Sequence, residues 1–337
     1  MKAILERLLN GSDLSVEESG KVMQALTDAA LPGAVGGALL AALRTKGETA
    51  DEVRGFAEAM RALSVKMIPP TTGAPLVDTC GTGGDGSGSL NLSTAAGLIA
   101  AAAGARVVKH GNRSISSRSG SADVLEQMGI PIDLGPEEAR ACLEDTGFVF
   151  LFAPRYHPSM KNVMPIRRAM GVRTVFNMLG PLSNPAAPPF QVVGAFSLAA
   201  AEKMAQALSG MQIERAFVVH GAEGWDEATP LGPYHLFDVR SGQVQATIRD
   251  PLEVGIPRCS AEDLAGQDAL YNANALEAVF LGRSGPHADA ACLSAGLALE
   301  VCGLAQNHAA GIALARAAIA DGRAERLLVA LKSRVLL

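Results

Sequence analysis

Gly81-Thr82-Gly83-Gly84-Asp85-Gly86 is a glycine-rich segment that connects a short apolar run at residues 76–80 to a helical stretch at residues 93–103. An apolar strand, a glycine turn and a helix in this order predict an α/β domain whose backbone can approach a phosphate group. The segment matches G-x-G-x-x-G, but the acidic residue that a dinucleotide-binding domain needs about 20 positions later is missing. The P-loop pattern with its lysine is missing too, so neither of these nucleotide-binding motifs is indicated.

The sequence that follows the glycine-rich segment is depleted of negative charge. No Asp or Glu occurs between Asp85 and Asp123. The interval holds glycines, hydroxyl side chains and five basic residues, which are Arg106, Lys109, His110, Arg113 and Arg118. The whole chain is mildly acidic, with 34 Asp plus Glu against 29 Lys plus Arg, so this gap does not follow from overall charge. The pattern predicts a binding site for a phosphorylated small molecule.

The length of 337 residues predicts two domains, because a single core usually stops growing at about 250–300 residues. The first 66 residues space their apolar side chains as helices do and contain no strand candidate. Capping boxes at Ser15 with Glu18 and at Thr49 with Glu52 mark two helix starts. The proline-rich segment at residues 68–73 then predicts a domain boundary.

The rest of the chain alternates short apolar runs with helical stretches, as a parallel sheet covered by helices does. The strand candidates are residues 76–80, 106–109, 149–152, 192–196 and 216–220. We expect an α/β fold class, with a small N-terminal all-helical domain and a large α/β domain whose central, mostly parallel sheet is flanked by helices. The helical domain is expected at residues 1–72, joined by part of residues 158–189, and the α/β domain at residues 73–337.

Composition excludes several classes of protein. No apolar run approaches the roughly 18–20 residues of a membrane span, and the first residues lack the pattern of a secretory signal, so we expect a cytoplasmic protein without a membrane partner. Five scattered cysteines without a C-x-x-C pair argue against a disulfide framework and a zinc site. A net charge of −5 and 4% aromatic residues argue against a nucleic-acid partner.

An ordered series of segments carries a resemblance to a known family. Segment 81–85 is followed by Asn91-Leu92-Ser93-Thr94, by Lys109-His110-Gly111-Asn112 and by Ser119-Gly120-Ser121-Ala122-Asp123. Further along the chain come His157-Pro158-Ser159-Met160-Lys161, Arg167, the block from Gly171 to Pro185, and His220-Gly221 with Asp226-Glu227. Over essentially the whole chain this series resembles the anthranilate phosphoribosyltransferases, which act in tryptophan synthesis.

The resemblance implies transfer of the 5-phosphoribosyl group from phosphoribosyl diphosphate to the amino group of anthranilate, giving N-(5-phosphoribosyl)anthranilate and diphosphate. The residues it implies for phosphoribosyl diphosphate are Gly81, Gly84, Asp85, Ser89, Asn91, Leu92, Ser93, Thr94, Lys109, His110, Gly111, Asn112, Arg113, Ser114, Ile115, Ser116, Ser117 and Ser121. Those implied for anthranilate are Gly81, Asn112 and Arg167. Mg²⁺, expected as two ions, is assigned to Ser93, Asp226 and Glu227. A homodimer is implied as well.

The residue types suit these roles. A helix start at 91–94 offers backbone N–H groups to a phosphate, and Lys109 adds a compact positive charge. The Arg167 guanidinium matches a carboxylate, and adjacent acids suit Mg²⁺. The aromatic amine is already nucleophilic, so we assign no residue a bond-making role and regard Lys109 and Arg167 as the most important for positioning and charge. A general base is neither required nor excluded, and His110 and His157 are given binding or orienting roles.

Two other functions compete with this interpretation. A pyrimidine nucleoside phosphorylase would share the two-domain fold and the glycine loop, but its family has a lysine-methionine-serine sequence where this chain has residues 109–112. A nucleic-acid binder of the same fold would have lost the substrate residues, whereas Asn112, Arg167, Asp226 and Glu227 are present. Ser89 is a mild departure from the threonine usual in the transferase family, and it leaves the affinity for diphosphate open.

Overall fold

The amino-terminal part of the chain forms a helical bundle. In the computed structural model, which describes residues 1–114 and 118–334, its helices are α1 (Lys2–Leu9), α2 (Val16–Thr27), α3 (Gly33–Lys46) and α4 (Ala50–Ala62). Both predicted capping boxes are present. Ser15 Oγ accepts from the Glu18 N–H at 3.2 Å while Glu18 Oε2 accepts from the Ser15 N–H at 2.9 Å, and Thr49 with Glu52 repeats this pair of bonds. These bonds satisfy backbone donors at the starts of α2 and α4.

A seven-stranded sheet lies at the centre of the second part of the chain. Its strands are β1 (Leu76–Gly81), β2 (Arg106–Gly111), β3 (Phe148–Phe152), β4 (Phe190–Gly194), β5 (Arg215–His220), β6 (Tyr234–Arg240) and β7 (Gln243–Arg249). The order is β3-β2-β1-β4-β5-β6-β7, with β1 to β5 parallel and β6 and β7 antiparallel to their neighbours. The strand order changes direction between β1 and β4, where open α/β sheets bind their ligands.

Helices flank both faces of this sheet. They are α5 (Leu92–Ala102), α6 (Ser121–Gln127), α7 (Pro136–Thr146), α8 (Ala153–Tyr156), α9 (Met164–Met170), α10 (Phe176–Leu182), α11 (Leu198–Ser209), α12 (Ala269–Phe280), α13 (Pro286–Val301), α14 (His308–Ala320) and α15 (Arg323–Ser333). Within residues 1–114 and 118–334, no helix has both the length and the apolar character needed to cross a bilayer. The predicted fold class is confirmed, since a helical bundle accompanies a mostly parallel sheet with helices on its faces.

The two faces of the sheet belong to two hydrophobic cores. Val77 of β1 packs into a core with residues of α5 and α13, whereas Cys80 of the same strand packs into a core shared with the helical bundle. Phe56 of α4 meets Phe176 of α10 edge-on, with ring centroids 6.3 Å apart. Ile166 of α9 lies so close to α3 that a Cβ at Gly36 would approach its Cδ1 to 2.6 Å. The bundle therefore covers one sheet face together with segments from residues 158–189.

The parallel strands are where the sequence predicts them, although β4 begins earlier, at Phe190. The β6–β7 hairpin was missed. β7 is exposed along almost its whole length. Its sequence alternates polar and apolar residues, so it is not one of the short, continuous apolar runs that predict the buried parallel strands. The pair Ser241-Gly242 between the two strands, with φ +68° at Gly242, is the local signal that predicts a tight hairpin turn.

Candidate active site

The carboxyl ends of the parallel strands bring several of the predicted residues together. β1 ends at Gly81, β2 at Gly111, β4 at Gly194 and β5 at His220. The glycine loop leaves β1 at this edge, and the segment 221–227 follows β5 there. In open α/β sheets this edge beside the change in strand order is the usual ligand site.

Backbone conformations that favour glycine shape the loop after β1. Gly83 and Gly84 have φ values of +66° and +73°, which side chains with a Cβ rarely adopt. The Thr82 N–H donates to Gly194 O at 3.0 Å, which anchors the loop to β4. The Gly83 N–H donates to Asp226 Oδ2 at 2.6 Å. An amide of the glycine loop thus already holds a carboxylate.

The start of α5 makes a second contact of the same kind. The Ser93 N–H donates to Glu227 Oε1 at 2.9 Å. Asn91 precedes the helix, and its Nδ2 donates to Ser119 O at 3.2 Å. Leu92 packs its side chain in the core and Thr94 is fully buried, so these two residues border the site through their backbone and, for Thr94, a buried hydroxyl.

Lys109 is a buried cation at the end of β2, not a lysine in solvent. Its side chain is among the most completely buried in the described residues. The Nζ donates to Thr79 O, and to Ser93 Oγ at 3.2 Å. Burial lowers the pKa of Lys109, while Asp78 opposes that shift. The ammonium therefore lies beneath the start of α5, beside the acidic pair.

Asp226 contacts the glycine loop, and Glu227 contacts the start of α5. Asp85 Oδ2 accepts from the Asp226 N–H at 3.2 Å. Burial and the neighbouring Asp85 raise the pKa of Asp226 to about 7, and burial with the charge of Asp226 raises the pKa of Glu227 well above its ordinary range. Glu227 Oε2 is buried and has no hydrogen-bond partner among the described residues.

This arrangement fits a divalent cation. The partly buried Asp85 carboxylate lies near those of Asp226 and Glu227, whose pKa values are raised by burial and by repulsion. One oxygen of Glu227 lacks a partner among the described residues. Oxygen ligands of this type are those that Mg²⁺ prefers. Ser93 Oγ is close by, although it is engaged by Lys109. Among residues 1–114 and 118–334, no group of three or more His, Cys, Asp or Glu side chains already has a metal-holding arrangement.

The segment after β2 is stabilised by its own acidic neighbours. Asn112 O accepts from the Ala122 N–H at 3.2 Å. Arg113 contacts Asp123 at 2.9 Å and Glu126 at 2.8 Å, so its charge is paired with acidic residues of α6 and not directed to the glycine loop. The Ser114 N–H donates to Asp123 Oδ2 at 3.1 Å. The predicted residues Ile115, Ser116 and Ser117 lie outside the residues that the structure describes.

The remaining predicted diphosphate residues border the same region. Ser89 lies at the far end of the glycine loop, where its Oγ accepts from Ser87 Oγ at 3.3 Å. Ser121 begins α6 and lies beside the end of β2, because a Cβ at Gly111 would approach the Ser121 Cβ to 3.3 Å. A Cβ at Gly81 would lie 2.5 Å from Asp226 Oδ2, so glycine there allows the acidic segment to approach.

Arg167 lies in α9, on the side of the helical bundle. Its Nη1 contacts Met164 Sδ at 3.9 Å, and its guanidinium carbon is 5.2 Å from the centroid of the Phe176 ring. Burial lowers the pKa of Arg167. Its described contacts are thus with a thioether and an aromatic ring. Gly81, by contrast, ends β1 beside the glycine loop, and Asn112 directly follows β2. The structure does not join these three residues directly.

His110 and His157 form a buried aromatic pair. Their ring centroids are 5.1 Å apart, and His110 Nδ1 lies 3.1 Å from Gly180 O. Burial lowers the pKa of His110 to about 3 and that of His157 to about 4, so both rings are neutral at pH 7. Neutral imidazoles held in this way suit an orienting role.

Sequence reasoning missed two residues that shape the site. A Cβ at Gly194 would fall 1.5 Å from Asp226 O, so β4 needs glycine where the acidic segment crosses it. Arg173 donates through Nη2 to Gly84 O on the glycine loop. Arg173 lies in the block from Gly171 to Pro185 that the resemblance includes, but no pattern in the sequence connects it to a loop almost ninety positions earlier.

Comparison with known proteins matches both parts of the chain. The sequence model of the glycosyl transferase family, a/b domain, matches residues 73–325, and that of the helical bundle domain of the glycosyl transferase family matches residues 2–64. An anthranilate phosphoribosyltransferase of Desulforudis audaxviator is 46% identical over 97% of this chain and 94% of its own length. The one of Solibacter usitatus is 45% identical over 97% and 96%.

Solved structures agree with the sequence relatives. The anthranilate phosphoribosyltransferase of Thermus thermophilus superposes with a TM-score of 0.92, at 41% identity, over 98% of both chains. The Saccharomyces cerevisiae enzyme in complex with phosphoribosyl diphosphate and Mg superposes with a TM-score of 0.88, at 25% identity, over 98% of this chain and 96% of that one. With this identity, coverage and fold, the chain belongs to the anthranilate phosphoribosyltransferase family.

Proposed function

We propose that the chain transfers the 5-phosphoribosyl group of phosphoribosyl diphosphate to the amino group of anthranilate, releasing diphosphate, in tryptophan biosynthesis. The observation that carries this proposal is the convergence of two backbone amides, Gly83 and Ser93, with Lys109 and an acidic pair at one edge of the sheet. Amides and a lysine suit the phosphates, and the acids suit the cation that accompanies them. The names of the matching relatives support the same reaction.

The diphosphate binds between the glycine loop and the start of α5. There it replaces the carboxylates that accept from the Gly83 and Ser93 amides. The positive end of the α5 dipole and the Lys109 ammonium both favour negative charge at this point. The proposed contacts continue along Asn91, Thr94 and the segment after β2.

Magnesium would be held by Asp226 and Glu227, with the Ser93 hydroxyl as a further oxygen. We propose two ions, and the yeast relative is known in complex with phosphoribosyl diphosphate and Mg. When bound, the metal neutralises charge on the diphosphate leaving group. The buried carboxylates would lose their mutual repulsion at the same time, because a divalent cation favours their ionised forms.

The reaction is a substitution at ribose C1. The lone pair of the anthranilate nitrogen forms the new C–N bond on one face while the bond from C1 to the diphosphate oxygen breaks on the other, which inverts C1. The leaving diphosphate takes the bonding electrons, and the nitrogen loses one proton. Lys109 and the start of α5 stabilise the charge that develops on the leaving group, so the chain contributes mainly positioning and electrostatics.

The proposed binding site for anthranilate lies between the carboxyl edge of the sheet and the helical bundle. The Arg167 guanidinium is held against Phe176, and no carboxylate lies within ion-pairing distance of it among the described residues. A partly buried cation without a counter-ion favours a carboxylate ligand. We propose that Arg167 takes the anthranilate carboxylate, with Asn112 and Gly81 bordering the amino group.

We also propose a homodimer formed through the helical domain. Leu9 at the end of α1 is 65% exposed, an apolar side chain that a partner could cover. The proposed domain division remains residues 1–72, joined by part of 158–189, and residues 73–337. The proposed location is the cytoplasm, as the sequence predicts.

The test is a fluorescence assay of anthranilate consumption with and without phosphoribosyl diphosphate and Mg²⁺, with the product identified by mass spectrometry. The proposal predicts consumption that needs both additions. Phosphorolysis of a pyrimidine nucleoside by the same preparation, with anthranilate untouched, would instead identify a nucleoside phosphorylase.

A further inference from the structure

Arg173 contacts three parts of the chain around the glycine loop. It lies between α9 and α10, and its Nη2 donates to Gly84 O. Its guanidinium carbon is 4.4 Å from the centroid of the Phe196 ring, in the turn between β4 and α11. Its own carbonyl accepts from Arg44 Nη1 of α3 in the helical bundle. One residue thus joins the loop, the sheet edge and the bundle.

The loop needs such an anchor because its glycines leave the backbone free. Positive φ values recur at Gly83, Gly84, Gly86 and Gly88. Glycine has more backbone freedom than any other residue, so the order of this loop depends on its contacts. In a trans peptide the C=O and the following N–H point in opposite directions. A bond that fixes Gly84 O therefore also fixes the Asp85 N–H, on the side away from Arg173.

The ring under Arg173 is tied to the same loop. The Phe196 N–H donates to Thr82 Oγ1 at 3.0 Å, two residues before Gly84. A guanidinium is planar, so it can stack on a ring and donate from its edge at the same time. A lysine ammonium keeps the charge but cannot make both contacts in this geometry. The two contacts at Gly84 and Phe196 therefore need the planar guanidinium of arginine as well as its charge.

We propose that Arg173 is a positioning residue for phosphoribosyl diphosphate. It holds the Gly84–Asp85 peptide so that the loop amides face the diphosphate. Through its bond with Arg44 it also fixes the loop relative to α3. This inference rests on the proposed function, because it assigns the loop to the diphosphate. Arg173 acts through the loop and touches no reacting atom.

The experiment measures steady-state kinetics for Arg173→Lys and Arg173→Met, for Phe196→Leu and Arg44→Met at the two contacts of Arg173, and for two control variants of Arg168. Arg173→Met loses the bond to Gly84 O, and Arg173→Lys cannot make that bond and the Phe196 contact together. Both variants should raise KM for phosphoribosyl diphosphate about tenfold or more, with kcat reduced less than about threefold and KM for anthranilate unchanged. Phe196→Leu and Arg44→Met should shift the same KM in the same direction by a smaller factor. Arg168→Lys and Arg168→Met, at an exposed neighbour in α9, are the matched controls and should leave all constants unchanged.

A binding measurement accompanies the kinetics. Trp225 is the single tryptophan, is buried, and directly precedes Asp226, so its fluorescence reports ligand binding at the acidic segment. Titration with phosphoribosyl diphosphate and Mg²⁺ should give a Kd that rises in parallel with KM. Wild-type kinetic constants in Arg173→Lys would show that only the positive charge at this position matters, which would overturn the proposal. An unchanged KM for phosphoribosyl diphosphate in Arg173→Met would overturn it as well. Absence of turnover in the wild type would refute the proposed function instead.

Discussion

The backbone N–H of Ser93, at the start of α5, donates to the carboxylate of Glu227 at 2.9 Å, although 134 positions of sequence separate them. The neighbouring acid, Asp226, accepts from the Gly83 amide in the same way. Carboxylates thus lie where the proposed function places phosphate oxygens. A divalent cation at the acidic pair would draw these carboxylates toward itself, which links metal binding to diphosphate binding.

The double variant Asp226→Asn/Glu227→Gln tests that link. We expect metal-dependent turnover to fall at least about 100-fold, because the neutral amides cannot replace two anionic metal ligands. The thermal midpoint without Mg²⁺ should not fall, because repulsion between buried acids is removed. Glu223→Gln, an exposed change in the same segment, is the control. Full turnover in the double variant would remove the acidic pair from the mechanism.

Replacement of Lys109 by methionine removes a buried charge while keeping a similar volume. We expect kcat/KM for phosphoribosyl diphosphate to fall about 100-fold, because the ammonium beneath α5 is lost. Stability should fall as well, because the buried Asp78 loses a neighbouring positive charge and the Thr79 carbonyl loses a donor. Kinetics and urea unfolding together check this. A variant that unfolds but keeps its specific activity would indicate a structural lysine.

Arg167→Ala should separate the two substrates. We expect KM for anthranilate to rise about tenfold or more, while the Kd for phosphoribosyl diphosphate changes little. The physical reason is that Arg167 contacts Phe176 and Met164 rather than the glycine loop. Calorimetric titration of each ligand measures the two effects separately. Equal loss of both ligands contradicts the assignment of Arg167 to the carboxylate.

Gly81→Ala should disturb the metal site without unfolding the chain. The added Cβ would lie 2.5 Å from Asp226 Oδ2, so the carboxylate must move. We expect weaker Mg²⁺ binding by calorimetry and a change in Trp225 fluorescence. Gly37→Ala in α3, whose added Cβ meets nothing within 4 Å, is the control and should gain about 0.5–1 kcal/mol of stability. Unchanged Mg²⁺ affinity in Gly81→Ala would show that the close approach is unimportant.

The buried histidines predict acid sensitivity. Burial places the pKa of His110 near 3 and that of His157 near 4, below the ordinary 6.5, so the unfolded chain binds more protons between these values. Their stabilising contribution is complete above pH 6.5 and is lost as the pH falls toward 4. Arg61 and Lys109 face His110, and Lys66 faces His157; all three oppose protonation.

Urea unfolding from pH 7.5 to 5 checks this dependence. His157→Gln should lose less stability than the wild type over that range, because it lacks one ring whose pKa is lowered by burial. The difference between the two proteins isolates the histidine from the carboxylates, whose raised pKa values act with the opposite sign. Identical pH profiles would show that folding does not lower the pKa of His157.

Local patterns explain what the sequence predicts and what it cannot. The capping boxes of α2 and α4 and the apolar runs of β1 to β5 are visible because their residues are adjacent in the chain. The glycine loop and the start of α5 are visible for the same reason. In contrast, the contacts of Asp226 with Gly83 and of Arg173 with Gly84 join distant segments. They depend on strand order, which no local pattern encodes. The exposed strand β7 is not predicted because it is not a continuous apolar run, although polar and apolar residues alternate along it.

Calorimetric titration of phosphoribosyl diphosphate into the intact protein, with and without Mg²⁺, tests the central claim most directly. The account predicts saturable heat with Mg²⁺, weaker binding without it, and loss of the metal effect in Asp226→Asn/Glu227→Gln but not in Glu223→Gln. Absence of binding by the folded wild-type protein would contradict it. So would a double variant that keeps the wild-type affinity for phosphoribosyl diphosphate both with Mg²⁺ and without it.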